Sequence, residues 1–402
     1  MKLLIINQYF YPDVAATAQL LTDLSEDLAD KEMDITVLTG NSNYLGGKLD
    51  LSANGKYIKS RVIRVNSFSL GKKSTIRRLL DYLSFYILVI LKSFTLPKHD
   101  IVLILTTPPL ISLLGLFLKA LRKSKLVCLV EDLYPDTAIA LGFIKANNYF
   151  VKVINSLSKL VFQKSDLIIA ISKNMKSRLI NKGVDKNKIV IIDNWADKKQ
   201  IYPIPMRNNW FLKKHKLEDC FVIEYSGNMG LSHDFDTILQ GSKILSKYQD
   251  IKFLFIGDGG KKKEILRFKT KNNLNNTFCL PYQDRNILAH SISAGNISLV
   301  SLKSELEGCI MPCKIYGIMA AGRPIIFIGD RNSDIANIIK NANCGYQIDD
   351  GDVKGFVEKV LLLYKNQEHS ETLGSNGYQY FLHHFERELA SEKYYKLLTT
   401  LA

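Results

Sequence analysis

Apolar residues in the first half of the chain gather into short unbroken runs, and between the runs they recur at helical spacing. "KLLIINQYF", from Lys2, is the first run, and "TAQLLTDLSEDLAD" after it sets Leu20, Leu21, Leu24 and Leu28 on one helical face. "DITVLTG", "DIVLILTTPP", "KLVCLVEDLYPD", "DLIIAIS" and "KIVIIDNW" repeat the run, with helical segments between them. Unbroken runs belong to strands buried on both faces, so the alternation predicts a parallel sheet covered by helices. The pattern lapses between Asn194 and Trp210, where two prolines and no period mark a linker. It then restarts with "FVIEYSGN", "IKFLFIGDGG", "NTFCLPY", "ISLVSL", "PIIFIGD" and "CGYQID". The predicted fold is α/β, two Rossmann-like domains over 1–195 and 196–381 that face each other across a cleft. Ligands are expected there, at the carboxyl ends of the strands. A last helix over 382–402 is a candidate to pack back on the first domain.

Bulk numbers narrow the function classes. At 402 residues two domains are expected, and 47% apolar residues with ten prolines mark a folded chain. The formal charge of +15 calls for an anionic partner: nucleic acid, an anionic membrane or a phosphorylated substrate. Cys128, Cys220, Cys279, Cys309, Cys313 and Cys344 are scattered, which fits free thiols in a reducing cytosol. Cys309 and Cys313 lack the second pair that a zinc site needs, so no metal is expected. "MKLLIINQYFYP" turns polar too soon for a signal peptide, and no run reaches the ~20 apolar residues of a membrane span.

Three stretches of the second half carry phosphate chemistry. "YSGNMGLSHDFDTIL" is a strand, a glycine turn and a helix, in which Gly227, Asn228 and Gly230 leave backbone N–H groups open. A plain packing turn reads the same way. "FLFIGDGGKKKEIL" repeats the layout with Gly257, Gly259 and Gly260, but the acidic ribose residue of a dinucleotide fold is missing ~20 positions on. Its Lys261–Lys263 run reads as a solvated helix start. In "MPCKIYGIMAAGRPIIFIG", Lys314 is a point charge suited to a diphosphate, and Ala320, Ala321 and Gly322 allow close backbone approach. Arg323 fits a phosphate or a structural carboxylate equally well. "DFD", Asp234 to Asp236, mimics a metal-binding triplet, but its place at a helix start favours N-capping. In the first half, "LVEDLYPDTAIALG" ends a strand with Glu131, Asp132 and Asp136, placed to bond an acceptor hydroxyl or merely to cap a loop.

Taken in order, "NQYFYPDVAATAQLLTDLSEDLAD", "EDLYPDTAIALG", "DNWAD", "YSGNMGLSHDFDTIL", "IGDGG", "PCKIYGIMAAGRPI" and "LGSNGYQYFLHHF" resemble family 4 glycosyltransferases of the GT-B fold. The bacterial O-antigen, capsule and colanic-acid enzymes similar to N-acetyl-L-fucosamine transferases look nearest. The resemblance implies a retaining transferase that moves a sugar, with N-acetyl-L-fucosamine or a related amino sugar as the candidate. It implies a UDP-sugar donor, a polyprenyl-diphosphate-linked acceptor and no bound metal or other cofactor. On the donor side it implies Gly227, Asn228, Gly230, Gly257, Glu307, Lys314, Gly322 and Arg323. On the acceptor side it implies Tyr11, Thr17 and Glu131, with Asp132 and then Asp136 as catalytic candidates. Many relatives carry a glutamate pair whose second member holds the ribose. Cys309 and Gly317 stand at those positions, with Glu305 or Glu307 as substitutes, and His233 stands near a lysine of the first glycine loop.

Between Lys56 and Arg78 there are eight cations (Lys56, Lys59, Arg61, Arg64, Lys72, Lys73, Arg77, Arg78) and no acid, followed by the apolar "LLDYLSFYILVILKSF". Region 56–94 therefore suits a helix lying in an anionic leaflet, or a core helix after a basic loop. "TTPPLISLLGLFLKALRKSK" is a second candidate contact. No aromatic-basic RNA signature or helix-turn-helix pattern supports nucleic-acid binding. The expected place is the cytosolic face of the inner membrane. A UDP-sugar 2-epimerase of the same architecture and a non-catalytic sugar-nucleotide or membrane scaffold are the alternatives.

Overall fold

The structure, a computed structural model, describes residues 1–44, 46–49, 58–70 and 75–402. The chain divides into two compact units. One comprises Met1–Asp193, Gly308–Met311 and Glu388–Ala402; the other comprises Asn194–Glu307 and Pro312–Arg387.

The first unit holds a seven-stranded parallel sheet: β1 (Lys2–Ile6), β2 (Asp34–Gly40), β3 (Arg61–Val65), β4 (Ile101–Leu105), β5 (Lys125–Val130), β6 (Leu167–Ala170) and β7 (Ile189–Ile191). Their spatial order is β3-β2-β1-β4-β5-β6-β7. All five residues of β4 are buried, because helices cover both faces of the sheet and leave no polar side. Helix Ala16–Asp30 buries Leu21, Leu24 and Leu28 of its predicted face, while Leu20 is half-buried.

Strand β3 lies inside the segment read from sequence as a basic loop. Its "RVIRV" pairs in parallel with β2, from Arg61 opposite Thr36 to Val65 opposite Gly40. An edge strand tolerates charged residues because one of its sides meets solvent, and this hides its periodicity. Cations of the segment have partners inside the fold: Lys59 pairs with Asp30, and the Arg64 guanidinium donates to the Tyr11 carbonyl. Lys56, Lys72 and Lys73 lie outside the described residues, as does the side chain of Arg78.

The second unit holds a six-stranded parallel sheet: β8 (Phe221–Ser226), β9 (Ile251–Ile256), β10 (Thr277–Leu280), β11 (Ile297–Ser301), β12 (Ile325–Ile328) and β13 (Gly345–Ile348). Here the order is β10-β9-β8-β11-β12-β13. The order reverses between β1 and β4 in the first sheet, and between β8 and β11 in the second. Such reversal points open a crevice beyond the strand carboxyl ends, where α/β folds bind ligands.

The tail is two helices rather than one. Gln367–His384 belongs to the second unit and ends at Phe385, where Ala196 donates to the Phe385 carbonyl and accepts from Arg387. Arg387–Leu401 follows, and from Glu388 on it belongs to the first unit. Glu392 takes a 2.7 Å ion pair from Lys31, Ser391 donates to Asp27, and Tyr394 and Leu398 are fully buried.

Candidate active site

Two glycine turns at the carboxyl edge of the second sheet touch through their backbones. Gly227 follows β8 and Gly257 follows β9, at φ +125° and +132°, where L side chains are strained. A methyl group built on Gly257 would fall 2.1 Å from the Gly227 carbonyl oxygen. Hydrogen bonds lock the turns together: Met229 N donates to Asp258 O at 2.8 Å, and Lys261 N to Met229 O at 2.9 Å. Gly257 is thus required by the approach of Gly227.

Lys314 opens the short helix Lys314–Ala320 and reaches this edge. Its Nζ lies 3.5 Å from the centroid of the Tyr225 ring and 3.5 Å from where a Cβ on Gly227 would stand. The residue is partly exposed, but its Nζ is buried and has no hydrogen-bond partner among the described residues. Burial pulls the ammonium down to about 7. An amine so placed is short of one anionic partner. Tyr225 is held under it by an O–H bond to Asn228 O at 2.8 Å and by edge contact with Phe235 at 4.7 Å.

His233 and Asp234 tie the helix behind the first turn to the end of β11. The His233 Nδ1 meets the Ser301 carbonyl, which can only accept, so Nδ1 carries the hydrogen. Burial, helped by the Lys314 charge, pushes the imidazole down to about 3, so it is neutral. Asp234 N donates to Ser301 Oγ at 2.7 Å, while the Asp234 carboxylate accepts from Asp236 N at 2.8 Å and from Thr237. Asp234 thus serves the first N–H of helix Asp236–Leu245 from one residue before its N-cap, Phe235, and not as the N-cap expected of "DFD".

Gly227, Asn228, Gly230, Gly257 and Lys314 therefore come together. Gly322 and Arg323 do not join them. Both precede β12, at the amino edge of the same parallel sheet, and line a separate cavity of about 270 Å³ with Tyr364, Glu371 and Tyr378. There Arg323 donates to the Ile204 carbonyl, and burial lowers its guanidinium to about 10 against the pull of buried Glu224. Glu307 accepts from Asp334 N at 3.1 Å, which caps helix Asp334–Ala342. A Cβ on Gly317, where many relatives place a carboxylate, would meet Ile201 at 3.4 Å and Ile292 at 3.6 Å, an apolar packing position.

In the first unit Glu131 and Asp132 follow β5 directly. Asp132 accepts from Thr107 Oγ1 at 3.0 Å, and burial raises its carboxyl above the usual range. The backbone N–H groups of Glu131 and Asp132 both reach Thr106 Oγ1 at 3.2 Å. Asp136 instead starts helix Asp136–Ala140 and pairs with Lys182 at 2.7 Å, a structural use. Tyr11 and Thr17 lie past the end of β1, and Tyr11 N donates to Thr22 Oγ1 at 3.3 Å. Tyr225 and Ser301 escaped sequence reasoning, since a strand-end aromatic or serine has no periodic signature.

Known proteins bear on this arrangement. Residues 17–200 match the model described as Glycosyltransferase Family 4, and residues 206–380 the one described as Glycosyl transferases group 1. A Pseudomonas aeruginosa protein named "Probable glycosyltransferase WbjE" is 25% identical over 252 residues, a match that spans 62% of each chain. The Staphylococcus aureus capsular polysaccharide biosynthesis glycosyltransferase CapM is 24% identical over 67% of this chain and 70% of its own. The crystal structure of Anabaena HepE in complex with UDP and glucose superposes with a TM-score of 0.76 at 13% identity, covering all of both chains. Likeness at that identity speaks for the fold. The chain is a glycosyltransferase of the GT-B fold, in which a family 4 domain is followed by a group 1 domain.

Proposed function

We propose that this protein moves a sugar from a UDP-linked donor to a polyprenyl-diphosphate-linked saccharide during surface polysaccharide assembly, with retention at the anomeric carbon. The observation that carries the donor reading is Lys314, a buried amine beside the Gly227 turn without a hydrogen-bond partner among the described residues. HepE, whose crystal structure holds UDP, and the capsular relative support the nucleotide and the pathway class. Retention and the lipid carrier rest on the family resemblance, which also makes N-acetyl-L-fucosamine or a related amino sugar the first candidate.

In this reading the second unit binds the donor. Lys314 neutralises the diphosphate, and the turn N–H groups give charge stabilisation as the sugar–phosphate bond breaks. The first unit binds the acceptor, with Asp132 as the group that bonds its hydroxyl and orients it. Region 56–94 holds the enzyme on an anionic membrane at its cytosolic face. No helix among the described residues is long and apolar enough to cross a membrane. Leu83, Ile87, Leu91 and Phe94 on helix Thr75–Phe94 face solvent.

Incubating the protein and membranes with radiolabelled UDP-sugars tests this reading. Label that moves into lipid supports it. Interconversion of the free donor would instead identify a 2-epimerase, and binding without turnover a scaffold.

A further inference from the structure

A second basic and apolar segment lies on the first unit, outside the regions read from sequence as membrane contacts. From Gly142 to Lys164 the chain has four lysines (Lys145, Lys152, Lys159, Lys164) and no acidic residue. All four are exposed. So are Phe143 at 60%, Tyr149 at 80% and Phe150 at 61%, with Val153 and Leu160 on the same outer side of helix Tyr149–Lys164. Val151, Val161 and Phe162 fill the inner side. The two aromatic residues of the first turn are held there by the cap, in which Phe150 N donates to Asn148 Oδ1 at 2.9 Å.

This surface continues the one formed by helix Thr75–Phe94. Helix Ser112–Arg122 lies between them: Phe117 meets Phe94 edge-on at 5.3 Å, and Arg122 donates to Phe94 O at 2.9 Å. On its other flank Lys119 donates to Lys164 O at 2.8 Å and pairs with Asp166 at 2.7 Å. Phe117 and Leu121 are exposed between the two larger sets.

Exposed aromatics interleaved with lysines and free of acids suit one environment best. Aromatic rings settle at the headgroup level of a bilayer, while lysine stems lie along apolar surface and lift their charge to the phosphates. Protein interfaces, by contrast, deplete lysine from their cores. We propose that Phe143, Tyr149 and Phe150 enter the headgroup layer of an anionic bilayer, with Lys145, Lys152 and Lys159 on lipid phosphates. All three helices then form the docking face. This inference rests on the membrane reading above and adds a contact to it.

The test uses the full chain and vesicles of phosphatidylglycerol mixed with phosphatidylethanolamine, against phosphatidylcholine alone. A Phe143→Ser/Tyr149→Ser/Phe150→Ser variant should lose about tenfold in affinity for the anionic vesicles while its UDP affinity is unchanged. Phe150→Trp should show a blue-shifted emission on those vesicles and none on phosphatidylcholine. The inference is overturned if the triple variant binds like the parent while Leu83→Ser/Ile87→Ser does not, which leaves the 56–94 contact standing. A parent that ignores every vesicle overturns the membrane reading together with this one. A parent that ignores vesicles but dimerises through these residues makes the face a self-interface, and overturns both as well.

Discussion

The Nζ of Lys314 sits 3.5 Å above the centre of the Tyr225 ring, with the Gly227 turn beside it and no hydrogen-bond partner among the described residues. A ring face offsets only part of the cost of burying an ammonium. An anion at the turn would supply the rest, so ligand and proton should bind together. The free amine has been pulled down to about 7, and a diphosphate must raise it. UDP affinity should therefore be highest at or below neutral pH and fall above it, by at most about tenfold per unit. Titrations from pH 7 to 9 check this, since the terminal phosphate of UDP, with a pKa of about 6, stays ionised throughout. A flat profile in that range would remove Lys314 as the coupled group.

The same depressed amine makes a stability prediction of opposite character. Between about 7 and the ordinary lysine value of 10.5, the unfolded chain holds a proton that the folded chain lacks, so Lys314 makes stability rise with pH through that window. Lys314→Met removes the buried charge. It should leave the melting temperature at pH 7 equal to the parent's or higher, and flatten its rise towards pH 10. Thermal melts across that range measure both.

The two glycine turns should separate fold from binding. Gly257→Ala drives a methyl group into the Gly227 carbonyl, so it should cost about 3 kcal/mol or more of stability, through overpacking and backbone strain together. Gly227→Ala meets only Lys314 at 3.5 Å. It should cost about 1–2 kcal/mol through its positive φ and weaken UDP binding more than it weakens the fold. Chemical denaturation beside calorimetry distinguishes the two patterns.

Arg323 should behave as a structural residue. It serves the Ile204 carbonyl and buried Glu224 at the amino edge of the sheet, away from Lys314. Arg323→Met should lower stability by about 1–3 kcal/mol, because it leaves a buried carboxyl and a carbonyl without their cation. UDP affinity measured on the folded variant should stay within about twofold of the parent, and a larger loss would return Arg323 to the donor site.

Among the carboxylates proposed for the acceptor side, Asp132 should carry the kinetic effect. Asp132→Asn keeps the size and the Thr107 contact, and should lower turnover by about 10- to 100-fold with donor KM unchanged. Asp136→Asn breaks the Lys182 pair and should mainly cost stability. Steady-state kinetics with both substrates varied gives the comparison.

The strands that became legible first are the ones buried on both faces, such as β4 and β12, because unbroken apolar runs leave no second reading. β3 escaped because two arginines interrupt its edge-strand pattern. The Lys314 cation and the glycine turns could be read from residue type and position. That Arg323 stands at the other edge of the sheet could not, although it is only nine residues from Lys314. The helix Lys314–Ala320 carries the chain from one edge to the other, and Gly322 at φ +64° turns it into β12. Local spacing does not reveal such a traverse until the sheet order is known. The ribose question changes form as well, since Gly317 faces Ile201 and Ile292 and Glu307 caps a helix.

The most direct test of the central claim is a calorimetric titration of UDP into the parent and into Lys314→Ala at pH 7. A saturable parent site, weakened at least about 30-fold in the variant, is the predicted result; two opposite charges in contact at a buried site contribute on the order of 2 kcal/mol. Equal affinity in parent and variant would contradict the claim that this lysine holds the diphosphate.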